Sequence, residues 1–267
     1  MQPGEVFEKE CYSYLEKEYT TEYVHFVRKG GMDSTKSDIA VFKSEKIDFY
    51  IEAKDSSAQS GQFVLLPNVD TETFEFSPRN RSKPNVMTDI IIAYMNSDFH
   101  RFNHAGTAGQ FLDLETDVFS NWIIRHYQEK NVKYVISRGV DFVVFPIRKY
   151  HEYFNITATF RIKKSGSSSP AQKDIANIKQ SIIDCYPSAS FTQRQKKLYV
   201  TIAEQLTTNK FVLGKYTYYL SGQGHKEYEV RKLSNTNNMN VIFSVNLIKG
   251  QDPNDLREFK EDLETVM

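Results

Sequence analysis

Two strand-like runs lie close together in this chain: Ser37-Asp38-Ile39-Ala40-Val41 and Ile47-Asp48-Phe49-Tyr50-Ile51-Glu52-Ala53-Lys54. Side chains two positions apart on a strand point to the same face, so Glu52 and Lys54 are expected to share one cavity. A hairpin through Lys43 to Lys46 would bring Asp38 alongside them. The pattern therefore predicts two carboxylates and one ammonium group at one end of a hairpin.

These three side chains suit a magnesium site. Mg²⁺ binds through oxygen, keeps several waters, and is commonly held by one or two carboxylates and a substrate phosphate. Asp38 and Glu52 are the predicted ligands. Lys54 is predicted either to neutralise charge on the phosphate or to help orient and deprotonate the attacking water. The sequence leaves these two roles of Lys54 open.

The same residues resemble the PD-(D/E)xK nuclease superfamily and, within it, the type II restriction endonucleases. That family places an acid at the start of one strand and Glu-x-Lys or Asp-x-Lys on the next. This chain has Asp38 and then Glu52-Ala53-Lys54, and the two acids are 14 positions apart. The proline that often precedes the first acid is replaced here by Ser37. The resemblance covers about residues 1–66.

The resemblance also implicates an acid near the start of the chain. Members often open with a helix carrying Gly-x-x-Phe-Glu, whose glutamate reaches the metal, and Gly4-Glu5-Val6-Phe7-Glu8 occupies that place. Glu8 is accordingly predicted as an accessory catalytic acid and metal ligand. Other glutamates crowd the same amphipathic stretch, so a solvated helical face is the alternative for Glu8.

The fold implied by the resemblance is α/β, with a restriction-endonuclease-like mixed β-sheet core flanked by helices and a β-rich C-terminal extension or subdomain. The implied activity is Mg²⁺-dependent hydrolysis at a short, specific sequence of double-stranded DNA. A homodimer is expected because cutting both strands symmetrically needs two active sites. The alternatives are a structure-specific DNA resolvase or nicking repair endonuclease of the same fold, and a non-catalytic DNA-binding module whose acidic cluster is structural.

Hydrophobic periodicity and turn residues predict how the chain is divided. The Ser- and Gly-rich run at 165–170 separates a nuclease core at 1–164 from a β-rich DNA-binding and dimerisation extension at 165–267, although a single domain is also possible. The predicted elements are helices at 5–18, 118–129, 174–184 and 252–264, and strands at 23–27, 39–42, 47–53, 133–137, 142–146, 154–162, 198–203, 211–220, 227–233 and 241–248.

Composition indicates a globular protein of the cytoplasm. The chain has 267 residues, of which 40% are hydrophobic and 25% charged. No run is long enough for a membrane span, and Cys11 and Cys185 are too few for a disulfide framework. The glycine-containing segments lack the Gly-Lys-Ser/Thr ending of a phosphate-binding loop, so no nucleotide cofactor is expected.

The DNA-contacting residues are predicted from the distribution of charge. Formal net charge is zero, but residues 187–235 carry 8 Lys and Arg against 3 Asp and Glu, whereas residues 1–60 carry 8 against 12. Arg and Asn can make bidentate contacts with base edges, and loops carry function disproportionately. The candidates are a glutamine just past the catalytic strand, a polar loop at 67–85 and a C-terminal basic cluster, with the residues Gln62, Arg79, Asn80, Arg81, Lys83, Arg194, Lys196 and Lys197.

Overall fold

Residues 3–29 and 37–265 are described in a computed structural model of the protein. The chain divides into two units, the first extending to Arg161 and resuming at Met239, and the second comprising Ile162–Asn238. The predicted division after residue 164 lies near the first of these boundaries. Residues 239–267, which the sequence assigns to the extension, belong instead to the first unit.

The helices and strands are as follows. The first unit contains α1 (Pro3–Tyr19), β1 (Val24–Arg28), β2 (Ile39–Lys43), β3 (Lys46–Ala53), β4 (Ser57–Asn68), β5 (Thr73–Phe76), α2 (Val86–Asn96), α3 (Phe99–Asn103), β6 (Gln110–Phe111), α4 (Thr116–Gln128), β7 (Val132–Arg138), β8 (Phe142–Pro146), a 3₁₀ turn (Ile147–Lys149), α5 (Tyr150–Tyr153) and β9 (Phe154–Lys164). There follow β10 (Ser167–Ser168), a 3₁₀ turn (Gln172–Asp174), α6 (Ile175–Cys185), β11 (Ser190–Arg194), β12 (Lys197–Thr201), β13 (Lys210–Leu213), β14 (Tyr216–Gly224), β15 (Glu227–Leu233), β16 (Asn237–Leu247) and α7 (Pro253–Glu264).

A mixed sheet with the strand order β1-β2-β3-β7-β8 forms the core of the first unit. The β2–β3 hairpin turns through Ser44 and Glu45, whose φ angles of 45° and 71° match the right-handed twist of the flanking strands. Its register pairs Ile39 with Ile51, and β3 also pairs in parallel with β7. The middle of the sheet is therefore where the end of β3 lies.

Helices α1 and α7 cover a face of this sheet. Phe7, Cys11 and Leu15 recur every four residues, so they form one buried stripe of α1. Phe259 and Leu263 of α7 join the same hydrophobic cluster. Burial of each such large side chain contributes about 1.5–3 kcal/mol. The predicted C-terminal helix is thus a packing element within its own chain.

A second sheet of the first unit has the order β5-β4-β16-β9-β6. β16 pairs antiparallel with β4, which is why the chain after the second unit returns to the first. Phe63, Trp122 and Phe243 pack against one another, with ring centroids 4.5–6.1 Å apart. Gly61 has φ +100°, and a Cβ there would lie 2.8 Å from the Trp122 ring. Only glycine fits this position of β4 without strain.

The second unit has a core of its own. Its sheet has the order β11-β12-β15-β14-β13, and β10 pairs with β15. Helix α6 presents Ile175, Ile178 and Ile182, spaced three and four residues apart, to a cluster that includes Leu198 and Val230. Two-residue turns with positive φ connect β11 to β12 and β14 to β15. The unit therefore consists of antiparallel strands with one helix packed against them.

The α/β class and most predicted elements are confirmed. The predicted strand at 211–220 is wrong in extent, because Gly214, with φ +60°, turns the chain between β13 and β14. The predicted loop at 67–85 is also too long, because β4 runs to Asn68 and β5 follows at Thr73–Phe76. Within residues 3–29 and 37–265, no helix is long and apolar enough to cross a membrane.

Candidate active site

Asp38, Glu52 and Lys54 lie together at one end of the β2–β3 hairpin. The Lys54 Nζ donates to Glu52 Oε1 at 2.7 Å, and the Ala53 amide donates to Asp38 Oδ2 at 2.9 Å. The backbone is fixed as well, since the Lys54 amide donates to the Ile136 carbonyl of β7 at 2.9 Å. The predicted juxtaposition of two carboxylates and an ammonium group is present in the structure.

Because the site is buried, the charges of its side chains strongly affect one another's pKa. Glu52 is 6% exposed. Burial raises the pKa of Asp38 to about 8, and the Glu52 and Glu8 charges add to this, while Lys54 and the Ala53 amide oppose it. Burial alone would lower the pKa of Lys54, but the carboxylates of Glu52 and Asp38 outweigh it and hold that pKa well above its ordinary value. Lys54 is therefore an ammonium group at neutral pH.

Glu8 on α1 faces the same charges. Its Oε2 is buried and has no hydrogen-bond partner. Burial raises the pKa of Glu8, with Glu52 adding to the rise and Arg28 and Lys54 opposing it. A buried carboxylate oxygen without a partner is costly, so the position favours a proton or a cation beside Glu8.

A buried hydroxyl network behind Lys54 was not predicted from the sequence. The Ser60 hydroxyl lies 2.6 Å from that of Tyr150 and 3.4 Å from that of Tyr127. The Lys54 Nζ lies 5.6 Å from the centroid of the Tyr127 ring, close enough for a cation–π contact. The sequence offered one indication, because Tyr127 falls on the apolar face of a predicted helix and carries a hydroxyl that must find a partner.

The carboxylates of Asp38 and Glu52 suit a magnesium ion that is held by few protein ligands. Among the residues that the structure describes, no three His, Cys, Asp or Glu side chains form a group that could hold a metal ion. Asp38 and Glu52 alone are the one or two carboxylates that Mg²⁺ commonly uses, and a cation between them would relieve the repulsion that raises the Asp38 pKa. The role of Glu8 as an accessory acid and metal ligand stays a prediction, and its buried Oε2 without a hydrogen-bond partner is consistent with it.

Comparison with known proteins places the chain in a family. No protein-family model matches the chain, and neither does any curated protein sequence. A solved structure of HhaI endonuclease in complex with DNA is 35% identical, has a TM-score of 0.74, and aligns over 99% of this chain and 100% of that one. The chain belongs to the family of the HhaI endonuclease. The predicted restriction-endonuclease-like fold is thereby confirmed.

Within this HhaI endonuclease family fold, the loop after β5 carries the first group of predicted DNA contacts. Arg79, Arg81 and Lys83 are exposed. Asn80 is not available in the same way, because its Oδ1 accepts from the Val64 amide at 2.8 Å and its Nδ2 donates to the Val64 and Ser77 carbonyls at 2.8 and 3.0 Å. Asn80 therefore has a structural role and not the predicted contact with a base, because its side chain holds the loop to β4.

Gln62, predicted just past the catalytic strand, lies within the next strand, β4. It is exposed, and its Oε1 accepts from Gln59 Nε2 at 3.2 Å and from Asn240 Nδ2 at 3.4 Å. Both neighbours bind the same oxygen, so they turn the amide nitrogen of Gln62 outward. Gln62 stays a candidate for DNA contact on the strand surface.

The remaining predicted contacts belong to the second unit. Arg194 pairs with Glu227 at 2.6 Å and stacks on Tyr199 at 4.0 Å, and Lys197 lies 3.6 Å from Glu229. Lys196 is exposed at the β11–β12 turn. Residues 162–238 carry 12 Lys and Arg against 5 Asp and Glu, a formal charge of +7, so the rest of the chain carries −7.

The Asp38 carboxyl makes stability depend on pH. A carboxyl whose pKa is raised from 3.8 to about 8 binds more protons folded than unfolded, so the free energy of unfolding falls as pH rises across that range. We expect Asp38→Asn to stabilise the metal-free protein at pH 9 more than at pH 5, by at least about 1 kcal/mol, the value of roughly one pKa unit. Urea unfolding in chelator measures this. An equal effect at both pH values contradicts the prediction.

Proposed function

We propose that this protein is a Mg²⁺-dependent, type II site-specific endonuclease that hydrolyses phosphodiester bonds of double-stranded DNA. The observation that carries the proposal is the meeting of Asp38, Glu52 and Lys54 at the end of β3, in a chain of the HhaI endonuclease family. The relative's structure contains DNA, which supports double-stranded DNA as the substrate.

Each residue of the site has a chemical task in this proposal. Asp38 and Glu52 hold Mg²⁺, which when bound lowers the pKa of a water ligand and offsets charge on the phosphate. The Ala53 amide keeps Asp38 in place, and Glu52 orients Lys54. Lys54 donates from its ammonium group to the phosphate oxygen on which negative charge develops as the water oxygen bonds to phosphorus and the ester oxygen leaves.

Of the two roles that the sequence left open for Lys54, the electrostatics favour charge stabilisation. A general base must give up its own proton first, and the carboxylates beside Lys54 raise its pKa well above the ordinary value. An ammonium group held by Glu52 is instead ready to stabilise a developing oxyanion without reorganisation.

The test is digestion of long unmethylated DNA of varied sequence in Mg²⁺, followed by sequencing of the fragment ends. We expect all ends to share one short sequence. Cleavage of four-way junctions in preference to duplex, or nicks at lesions, would favour a structure-specific resolvase or a repair nicking enzyme. Binding that is equally tight with and without divalent metal, without cleavage, would favour a DNA-binding module.

A homodimer remains part of the proposal because two active sites are needed to cut both strands in one binding event. Sedimentation of the protein with its DNA site gives the stoichiometry, and a supercoiled plasmid gives the order of strand cleavage. A monomeric complex that accumulates nicked circles before linear DNA would contradict the dimer. It would leave the endonuclease activity itself unaffected.

Recognition is assigned to the loop carrying Arg79 and Arg81. If Arg79 contacts a base edge, Arg79→Ala loses about 1–3 kcal/mol at one base pair and relaxes specificity there. Lys196→Ala in the second unit is expected instead to weaken binding to all sequences alike and to flatten the salt dependence. Titrations across single-base variants at two salt concentrations separate these results. If no loop variant changes preference or salt slope, recognition lies elsewhere in the chain.

A further inference from the structure

Lys130 lies in the turn that follows α4, and this turn is held against β3. Asn131 in that turn has φ +59°, and its carbonyl accepts from the Tyr50 amide at 2.9 Å. The Asn131 side chain donates to the Asp48 carbonyl, also at 2.9 Å. Two hydrogen bonds to β3 therefore hold the backbone next to Lys130 against the strand that carries Glu52 and Lys54.

The ammonium group of Lys130 shares an aromatic neighbour with Lys54. Its Nζ lies 5.5 Å from the centroid of the Tyr127 ring, and that of Lys54 lies 5.6 Å from the same centroid. Lys130 is half-buried. Burial lowers the pKa of Lys130, with Lys54 adding to this and Glu52 and Asp38 opposing it. Lys130 thus lies in the electrostatic field of all three active-site residues.

The balance of charge at the site gives Lys130 a function. Asp38 and Glu52 bring two carboxyl groups to the place where a DNA phosphate would bind, and Lys54 brings one ammonium group. Lys130 brings a second ammonium group, so basic side chains equal these two acidic ones in number. Unit charges interact more strongly near a protein surface than in water, so one cation matters for phosphate approach.

We propose that Lys130 binds the DNA phosphate at the catalytic centre, as a second ammonium group beside Lys54. This rests on the proposed endonuclease function. Lys54 is bound to Glu52 at 2.7 Å, and Lys130 shares the Tyr127 ring with it while starting from a different element, the turn after α4. The phosphate would then receive donors from two directions, which fixes its position for attack.

The experiment is a double-mutant cycle between Lys130 and one phosphate. Lys130→Met keeps most of the apolar stem and removes the charge, and a methylphosphonate at the scissile position removes the phosphate charge. Equilibrium binding of wild type and variant to both duplexes, without divalent metal, gives the four constants. Repulsion between the phosphate and the carboxylates cancels in the cycle.

We expect a coupling of about tenfold, which corresponds to one hydrogen bond between charged groups. Lys130→Met should also reduce the slope of log K against log salt by about 0.9, the value for one lost phosphate contact. Lys130→Arg should keep both. Lys46→Met, at the opposite, exposed end of the β2–β3 hairpin, is the matched control and should give a coupling near one.

The outcomes separate this inference from the proposed function. If wild type neither binds nor cuts DNA, the endonuclease proposal fails and this one with it. If wild type binds and cuts but Lys130→Met shows a coupling near one, only the role of Lys130 is wrong. Urea unfolding of each variant checks folding, and if Lys130→Met is unfolded, Lys130→Gln takes its place in the cycle.

Discussion

Asp38→Asn and Glu52→Gln are each expected to abolish DNA cleavage while leaving DNA binding intact or tighter. Each substitution removes one carboxylate charge and keeps the shape of the side chain, so the Ala53 amide retains an acceptor at position 38. Loss of a metal ligand removes several kcal/mol of transition-state stabilisation, which is a loss of at least about a thousandfold in rate. Binding measured at pH 9, where the Asp38 carboxyl with its pKa of about 8 is ionised, improves because a negative charge facing the phosphate is gone.

Single-turnover cleavage in Mg²⁺ and equilibrium binding without it measure these two effects separately. Asp48→Asn is the matched control, since Asp48 lies on the same strand but pairs with Lys43 at 2.7 Å. Lys43 keeps its hydrogen bonds to the Asp262 and Thr265 carbonyls when this pair is lost, so cleavage should hardly change. If either active-site variant cleaves at nearly the wild-type rate, Asp38 and Glu52 do not hold the catalytic metal.

The centre of the active site was predictable because it is local in sequence. Asp38 and Glu52 lie on strands joined by a two-residue turn, so the pairing of these strands brings the two acids near each other. Local pairing of this kind can be inferred before the structure is known. The register was not predictable in the same way, because it shifts by one residue between Val41 and Phe42 and so pairs Ile39 with Ile51 instead of Tyr50.

The surroundings of the site were not predictable, because they come from distant parts of the chain. Tyr127 and Lys130 come just before β7, and the parallel pairing of β3 with β7 brings them near β3. No turn residue in the sequence predicts such a parallel pairing. Asn80 looks like a base-reading residue in sequence, yet its amide is bound to the Val64 backbone. The pairing of β16 with β4 joins segments about 180 positions apart and returns residues 239–267 to the first unit.

Lys54→Ala is expected to lower the single-turnover cleavage rate by at least roughly two orders of magnitude, the loss typical for one charge-stabilising group. Lys54→Arg keeps the positive charge but cannot reproduce the 2.7 Å contact of a compact ammonium group with Glu52, so an intermediate rate is expected. Because the pKa of Lys54 lies well above its ordinary value, the wild-type rate should not depend on deprotonation of Lys54 near neutral pH. Rates of both variants across pH check this.

The direction in which DNA binding changes distinguishes the loss of one charged group from a general disruption of the active site. At pH 9, where Asp38 is ionised, Lys54→Ala removes a positive charge and should weaken metal-free DNA binding, whereas Asp38→Asn removes a negative charge and should strengthen it. A general collapse of this buried cluster would weaken binding in both variants. Lys46→Ala, with the same charge loss at the far end of the hairpin, should leave the rate unchanged. An unchanged rate in Lys54→Ala would mean that Lys54 only neutralises Glu52, and that charge on the phosphate is stabilised by other groups.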